Sequence, residues 1–190
     1  MLHDSVLKTA WPPLSAALIG ADVHIRCDPQ SLEALKDHTS GTQSTHVHPA
    51  DPIKDFDTEH LSNVMSVATV SSLPDAIKFI NSHSSHHTDV IITESEPAAS
   101  TFVRGVDSAG TFWNASSRFA DGFRYGFGME VGISTGRVHA RGPVGLEGLM
   151  IYKYVLRSQN PQGSIIGEFG VGEGKKRYKH DAIVANALPF

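Results

Sequence analysis

The chain has one cysteine, Cys27, so no internal disulfide can form, and the expectation is a reducing compartment. No apolar run approaches the roughly 20 residues that a helix needs to cross a bilayer. The opening MLHDSVLKTAW has neither the basic start nor the apolar stretch of a secretory leader. Positive charge is not in excess: 16 Lys and Arg stand against 20 Asp and Glu, for a net charge of −4. That balance gives no electrostatic reason to expect nucleic acid or an anionic membrane as partner. Neither GxGxxG nor GxxxxGK[ST] occurs, so no loop of the Rossmann or P-loop kind cradles a phosphate. Internal repeats and low-complexity tracts are also missing. A soluble cytoplasmic protein is the expectation.

The 40% hydrophobic and 19% charged residues are those of an ordinary globular chain, and 190 residues suffice for one sizeable core. Residues 5–36 read as helix, strand, helix. Pro12 and Pro13 suit a first helical turn, Leu14, Leu18 and Ile19 recur at helical spacing, and Gly20 ends the run. Val23, Ile25 and Cys27 then alternate with polar residues, the period of a strand with one buried face. Asp28 and Pro29 open the next helix as N-cap and first residue. Residues 37–57 have no periodicity and read as an exposed, mobile loop.

A second α/β run starts at Val64: VMSVATV as strand, Ser72 with Asp75 as cap of the helix PDAIKFINS, and TDVIIT as a buried strand. Ser95 and Pro97 then open the helix PAASTFVRG, and SAGTFWN follows as strand. Strands and helices alternating at this length predict an α/β fold with a mostly parallel sheet.

The stretch from Asn114 to Tyr154, NASSRFADGFRYGFGMEVGISTGRVHARGPVGLEGLMIYKY, holds eight of the seventeen glycines. Glycine at that density lets backbone approach a ligand or another chain, and long loops of this kind are usually functional or interfacial. This block resembles the C-terminal signature of the gamma-glutamyl phosphate reductases (glutamate-5-semialdehyde dehydrogenases) of the aldehyde dehydrogenase superfamily. WPPLSAALIGADVHIRCDP and SSLPDAIKFINSHSSHHTDVIITE are similar to further segments of that family, and the resemblance covers about residues 1–157. It implies the three-layer, mostly parallel architecture of an aldehyde dehydrogenase-like catalytic domain. Residues 1–113 would be the remainder of that domain, 114–157 a glycine-rich active-site and oligomerisation segment, and 158–190 a flexible tail.

The family reduces L-glutamyl 5-phosphate with NADPH to glutamate 5-semialdehyde and phosphate, in proline biosynthesis. A thiolate displaces phosphate from the acyl phosphate, splitting one difficult substitution into two easier ones. The resemblance places the nucleophilic cysteine just upstream of Met1, and Cys27 at an ordinary strand position, an inert small hydrophobe. The chain then reads as the C-terminal part of that enzyme, inactive by itself. The competing expectation is a catalytically silent interaction module of the same descent.

Asn114, Ser116 and Arg118 follow a strand directly and so lie at its carboxyl end, which in parallel sheets faces the ligand crevice. They are the candidate substrate-binding residues, Arg118 offering a planar fork to carboxylate or phosphate. The bland alternative for Arg118 is a loop arginine that only orders the glycine-rich segment. Glu59 matches the glutamate that holds the nicotinamide ribose hydroxyls in the superfamily, against the alternative of a solvated loop acid. His60, Ser62, Asn63 and Ala68 depart from the family's pattern around it.

Zinc needs three or four ligands converging from fixed elements, usually with cysteine or carboxylate partners. His83, His86 and His87 instead close a helix, where the dipole favours histidine, and His46 and His48 lie in the polar loop, so no metal is expected. His139 and Arg141 read as hydrogen-bonding anchors, and Glu130 and Glu147 as structural. The strand Leu149 to Arg157 would present an exposed edge with Tyr152 and Tyr154 on one face, suited to pairing in a homo-oligomer.

Overall fold

The computed structural model describes residues 1–38, 45–138, 141–142 and 144–178. Two prolines at its start fix the first helix, α1 (Trp11–Gly20), and Ser15 Oγ donates back to the Pro12 carbonyl at 2.8 Å. Trp11, fully buried, donates from Nε1 to the Ser31 carbonyl at 2.9 Å. That bond ties α1 to α2 (Pro29–Glu33), whose N-cap is Asp28 as expected. Between them β2 (His24–Cys27) buries Ile25 and Cys27 and leaves His24 and Arg26 half-exposed, as its alternation predicts. Trp11, Ile25, Cys27, Leu35 and Val67 form the core, each large side chain stabilising by about 1.5–3 kcal/mol.

The remaining elements follow the expected order, except that the single expected strand VMSVATV is broken at Ala68 into β4 (Val64–Val67) and β5 (Thr69–Val70); α3 (Leu73–His83), β6 (Thr88–Ile91), α4 (Glu96–Gly105) and β7 (Gly110–Trp113) follow. Ser72 and Ser95 cap α3 and α4 by accepting from Asp75 N and Ala98 N. TDVIIT was expected to be buried; its four strand residues are only half-buried, and Ile92 beyond them is 79% exposed. The residue range 37–57, expected as mobile loop, contains a strand, β3 (Val47–Pro49). Backbone pairing made it: Ile25 N donates to the His46 carbonyl and Ala50 N to the Cys27 carbonyl, both at 2.7 Å. A three-residue strand is too short for periodicity to betray.

All strand pairs are parallel, in three pieces: β3-β2-β4, a short β1 (Leu2–His3) on β5, and β6-β7. Among the described residues, β4 pairs only with β2 and β6 only with β7.

The chain divides into two compact units, Met1–Met150 and Ile151–Phe190. Within the first, the described residues of 114–150 carry only two 3₁₀ turns (Ser117–Phe119 and Glu147–Leu149) and an antiparallel bridge between Val131 and Val144. Gly122 is required there, since a Cβ would lie 1.8 Å from the Met129 carbonyl oxygen. The segment expected as a strand over Leu149–Arg157 does not form one: Leu149 ends a 3₁₀ turn, and residues 151–157 have no pairing among the described residues. With no partner strand, no ladder bonds hold it. In the second unit, Ile166–Glu168 forms a 3₁₀ turn, Phe169 bridges to Lys176, and the Phe169 and Tyr178 rings stack at 5.4 Å.

Candidate functional site

β6 and β7 run side by side and end together, Ile91 opposite Trp113. Immediately beyond, Asn114 adopts a left-handed backbone (φ 51°), which asparagine tolerates better than most residues. Its amide then acts as an extra rung of the ladder: Oδ1 accepts from Thr93 N and Nδ2 donates to the Thr93 carbonyl, both at 2.9 Å. Trp113 Nε1 donates to the same carbonyl at 3.0 Å. Asn114 is therefore occupied in holding the strand ends together.

Ser116 also has a local task, capping the turn Ser117–Phe119 by accepting from Arg118 N at 3.2 Å. Arg118 differs from both. Its carbonyl accepts from Arg124 Nη1, but its guanidinium has no hydrogen bond or ion pair among the described residues and is exposed. The three candidate substrate residues thus share one turn at the carboxyl end of β7, where the first two build the turn and the third presents a free fork.

Between the open edges of β4 and β6 lies a cleft of about 740 Å³. Val64, Met65 and Ala68 line one side, Val90 and Ile91 the other, and Phe79 of α3 also lines it. Asp89, also in the wall, accepts from Ser84 Oγ and Ser108 Oγ. Glu59 is exposed and makes no side-chain hydrogen bond among the described residues; its neighbours Thr58 and His60 line the cleft. His60 is held by Ser66 Oγ at 2.9 Å.

At the carboxyl end of β2, Asp28 is the most heavily bonded carboxylate among the described residues. Oδ1 accepts from Ser31 N (2.8 Å), Ser31 Oγ (2.6 Å) and Thr69 Oγ1 (3.1 Å), and Oδ2 accepts from Thr69 N (2.6 Å). Burial pushes its pKa up, but the hydrogen bonds from Ser31 and Thr69 outweigh this and hold it below the usual carboxylate range. Sequence reading found the cap but not the tether to β5, since nothing in spacing joins residues 28 and 69. Cys27 beside it is 1% exposed, and burial pushes its thiol up to about 11. A thiol so placed is not a nucleophile at neutral pH.

In the glycine-rich segment, Arg141 Nη2 donates to Asp107 Oδ1 at 3.0 Å, and Arg137 Nε reaches the same oxygen at 3.1 Å. The hydrogen bond from Arg137, then that from Arg141, lowers the Asp107 pKa. Arg141 is an anchor, as expected; His139 lies outside the described residues. Glu130 and Glu147 make no side-chain hydrogen bonds among the described residues and are exposed.

The histidines regroup in a way that spacing did not foretell. His83 bonds Asp57 at 2.7 Å, His86 the Asp107 carbonyl at 2.6 Å, and His87 the hydroxyl of Thr88 at 2.7 Å, each a separate local contact. His46 and His48, by contrast, lie on the same side of the sheet as His24, whose ring stacks on both, with centroids 4.6 and 5.7 Å away. Parallel pairing of β2 with β3 is the signal that would have joined them.

Comparison with known proteins gives one consistent answer. No family model matches the chain. It is 48% identical over 183 residues, 96% of its length, to a probable gamma-glutamyl phosphate reductase of Schizosaccharomyces pombe, of which it covers 39%. A gamma-glutamyl phosphate reductase of Saccharomyces cerevisiae is 52% identical over 131 residues, 69% of the chain and 28% of that protein. The crystal structure of gamma-glutamyl phosphate reductase from Thermotoga maritima superposes with a TM-score of 0.72 at 36% identity, over 83% of this chain and 36% of that one. The chain therefore spans at most about two fifths of the length of these relatives.

Proposed function

We propose that this chain, alike in sequence and α/β fold to one part of the gamma-glutamyl phosphate reductases, is the C-terminal part of such an enzyme. The whole enzyme would reduce L-glutamyl 5-phosphate to L-glutamate 5-semialdehyde with release of phosphate, in the cytoplasm. The observation that carries this reading is the match itself: 48% identity along nearly the whole chain, together with a shared fold.

The site geometry supports a supporting rather than a self-sufficient role. Acyl-phosphate displacement by a thiolate needs a reactive sulfur, and Cys27 is buried with its thiol held protonated. The cleft leaves room for a further strand. β1 runs parallel to β5 with Leu2 opposite Thr69, so a strand continuing in register ahead of Leu2 would lie along Val64–Val67, between the open edges of β4 and β6. The nucleophile would arrive on that strand.

Arg118, exposed and uncommitted, would grip the carboxylate or phosphate of the substrate through paired N–H bonds, with Ser116 and Asn114 fixing the turn that aims it. Glu59 fits a positioning role toward NADPH, since a free carboxylate can accept from both ribose hydroxyls and so orient the ring. The nicotinamide would supply the hydride. Its phosphates need a backbone cradle that this chain's sequence does not carry. Residues Leu149 to Arg157 would pair with a second subunit.

Purified alone, the chain should oxidise no NADPH in the presence of glutamyl phosphate; turnover would overturn the reading. In the longer enzyme, Arg118→Ala should raise KM for the acyl phosphate about 10-fold or more while leaving Tm unchanged, as expected when a charge-assisted contact of about 1.5–3 kcal/mol is lost. A lower Tm with intact kinetics would make Arg118 a loop anchor instead. A second reading, an inactive module that binds a full-length reductase, is favoured by the unpaired, exposed Tyr152 and Tyr154. Co-purification with the full-length enzyme that is lost in Tyr152→Ser/Tyr154→Ser would support that alternative.

A further inference from the structure

We propose that Asp22, His24, His46 and His48 form a binding site for one borderline divalent metal ion, zinc or a neighbour of zinc. The residues come from β2 and β3 and the turns that precede them. Asp22 is held in a left-handed conformation (φ 58°) and its backbone N–H donates to the Ile19 carbonyl at 2.9 Å, so its backbone is set by the end of α1. His24 starts β2; His46 precedes β3 and His48 lies within it. Side chains two apart on a strand share a face, so His46 and His48 project on one side, beside His24.

The donor atoms are already close. His46 Nε2 lies 3.0 Å from Asp22 Oδ1, and His24 Nδ1 lies 3.5 Å from His48 Nε2. The ligand atoms of Asp22, His24 and His46 all lie within 4.8 Å of one another. A tetrahedral ion with bonds of about 2.0–2.1 Å separates its ligands by about 3.3 Å. Two of the pairs already have that spacing, and rotation of the imidazole rings about their terminal torsions, which are soft, would draw in the rest. Thr45 Oγ1 stands 3.3 Å from His46 Nδ1, an outer partner whose hydroxyl can take up the Nδ1 proton when Nε2 gives up its own, now shared with Asp22 Oδ1, to a metal.

Three imidazoles and one carboxylate select zinc, cobalt, nickel or copper over magnesium or calcium, which require oxygen-rich shells. His24 and the two β3-side histidines flank the β2–β3 pairing, and β3 is an edge strand of its sheet among the described residues. Bound metal would therefore staple this edge strand to the turn preceding β2. No step of the proposed reductase chemistry depends on it, so the site stands or falls independently of the functional reading above.

The test uses the untagged 190-residue chain, stripped with chelator and titrated with Zn²⁺ by calorimetry and with Co²⁺ by visible absorption. We expect one ion per chain, the intense visible bands of tetrahedral cobalt, and a higher Tm with zinc. His24→Ala and His46→Ala should each weaken binding by more than the roughly 10–100-fold that loss of an outer partner brings. Asp22→Asn, at an exposed position, supplies a variant whose folding is not at risk, and should also weaken binding. His87→Ala, in the other histidine-rich stretch, should leave binding unchanged. Absence of binding, binding that survives His24→Ala and Asp22→Asn, or binding abolished by His87→Ala would each overturn the proposal.

Discussion

Replacing Asp28 tests the account of how the carboxyl ends of the strands are held. Asp28→Ala removes the acceptor of two backbone N–H groups, those of Ser31 and Thr69, and of their two hydroxyls. A hydrogen bond to a charged group contributes about 1.5–3 kcal/mol, and an N-cap side chain about 1 kcal/mol. Contacts that share one carboxylate are not additive, so the expected loss is about 3 kcal/mol rather than the sum. For a chain of this size, about 2–4 °C of Tm follows each kcal/mol, giving a fall of about 6–12 °C. Asp28→Asn keeps one acceptor oxygen but turns an N–H₂ toward one donor, and should lose about half as much.

The carboxyl is held below its usual range, so the native value lies under the unfolded value of about 3.9. Its contribution is then complete above about pH 5 and fades as pH falls through the unfolded and then the native value. The difference in stability between the parent and Asp28→Asn should therefore be constant above about pH 5 and shrink below about pH 4. Scanning calorimetry or fluorimetry from pH 3 to pH 8 measures both effects. An Asp28→Ala Tm within 2 °C of the parent, or a gap that widens in acid, would refute the reasoning.

Cys27, at a thiol pKa of about 11, is ionised in about one molecule in ten thousand at pH 7, so iodoacetamide should label it only after denaturation. Rapid labelling of the native chain would contradict the burial. Gly122→Ala should force the Met129 carbonyl away and cost about 1–3 kcal/mol, read as faster amide exchange across 122–131; unchanged exchange would refute this.

Much of the fold was legible because local chemistry and tertiary packing agree. Proline at the first turns, serine or aspartate caps and the Ile25/Cys27 alternation each mark an element boundary or a buried face without help from distant residues. β3 escaped because three residues carry no period and the pairing with β2 supplies what holds them. The site was legible only in part. Asn114 and Ser116 sit where expected, at the end of β7, yet their polar groups are bound to Thr93 and to the Arg118 backbone. Residue type and position in sequence cannot distinguish a side chain that shapes a turn from one that waits for a ligand. The same limit hid the clustering of His24 with His46 and His48, which depends on a crossover between strands.

The two sides of β2 have opposite characters, with Ile25 and Cys27 under Trp11 and His24 and Arg26 opposite. Sliding this strand by a single position would push a guanidinium and an imidazole into oil and turn an isoleucine out to water. Misthreaded forms of the chain are thereby penalised. Alignment of neighbouring strands is accordingly enforced by chemistry that has nothing to do with turnover.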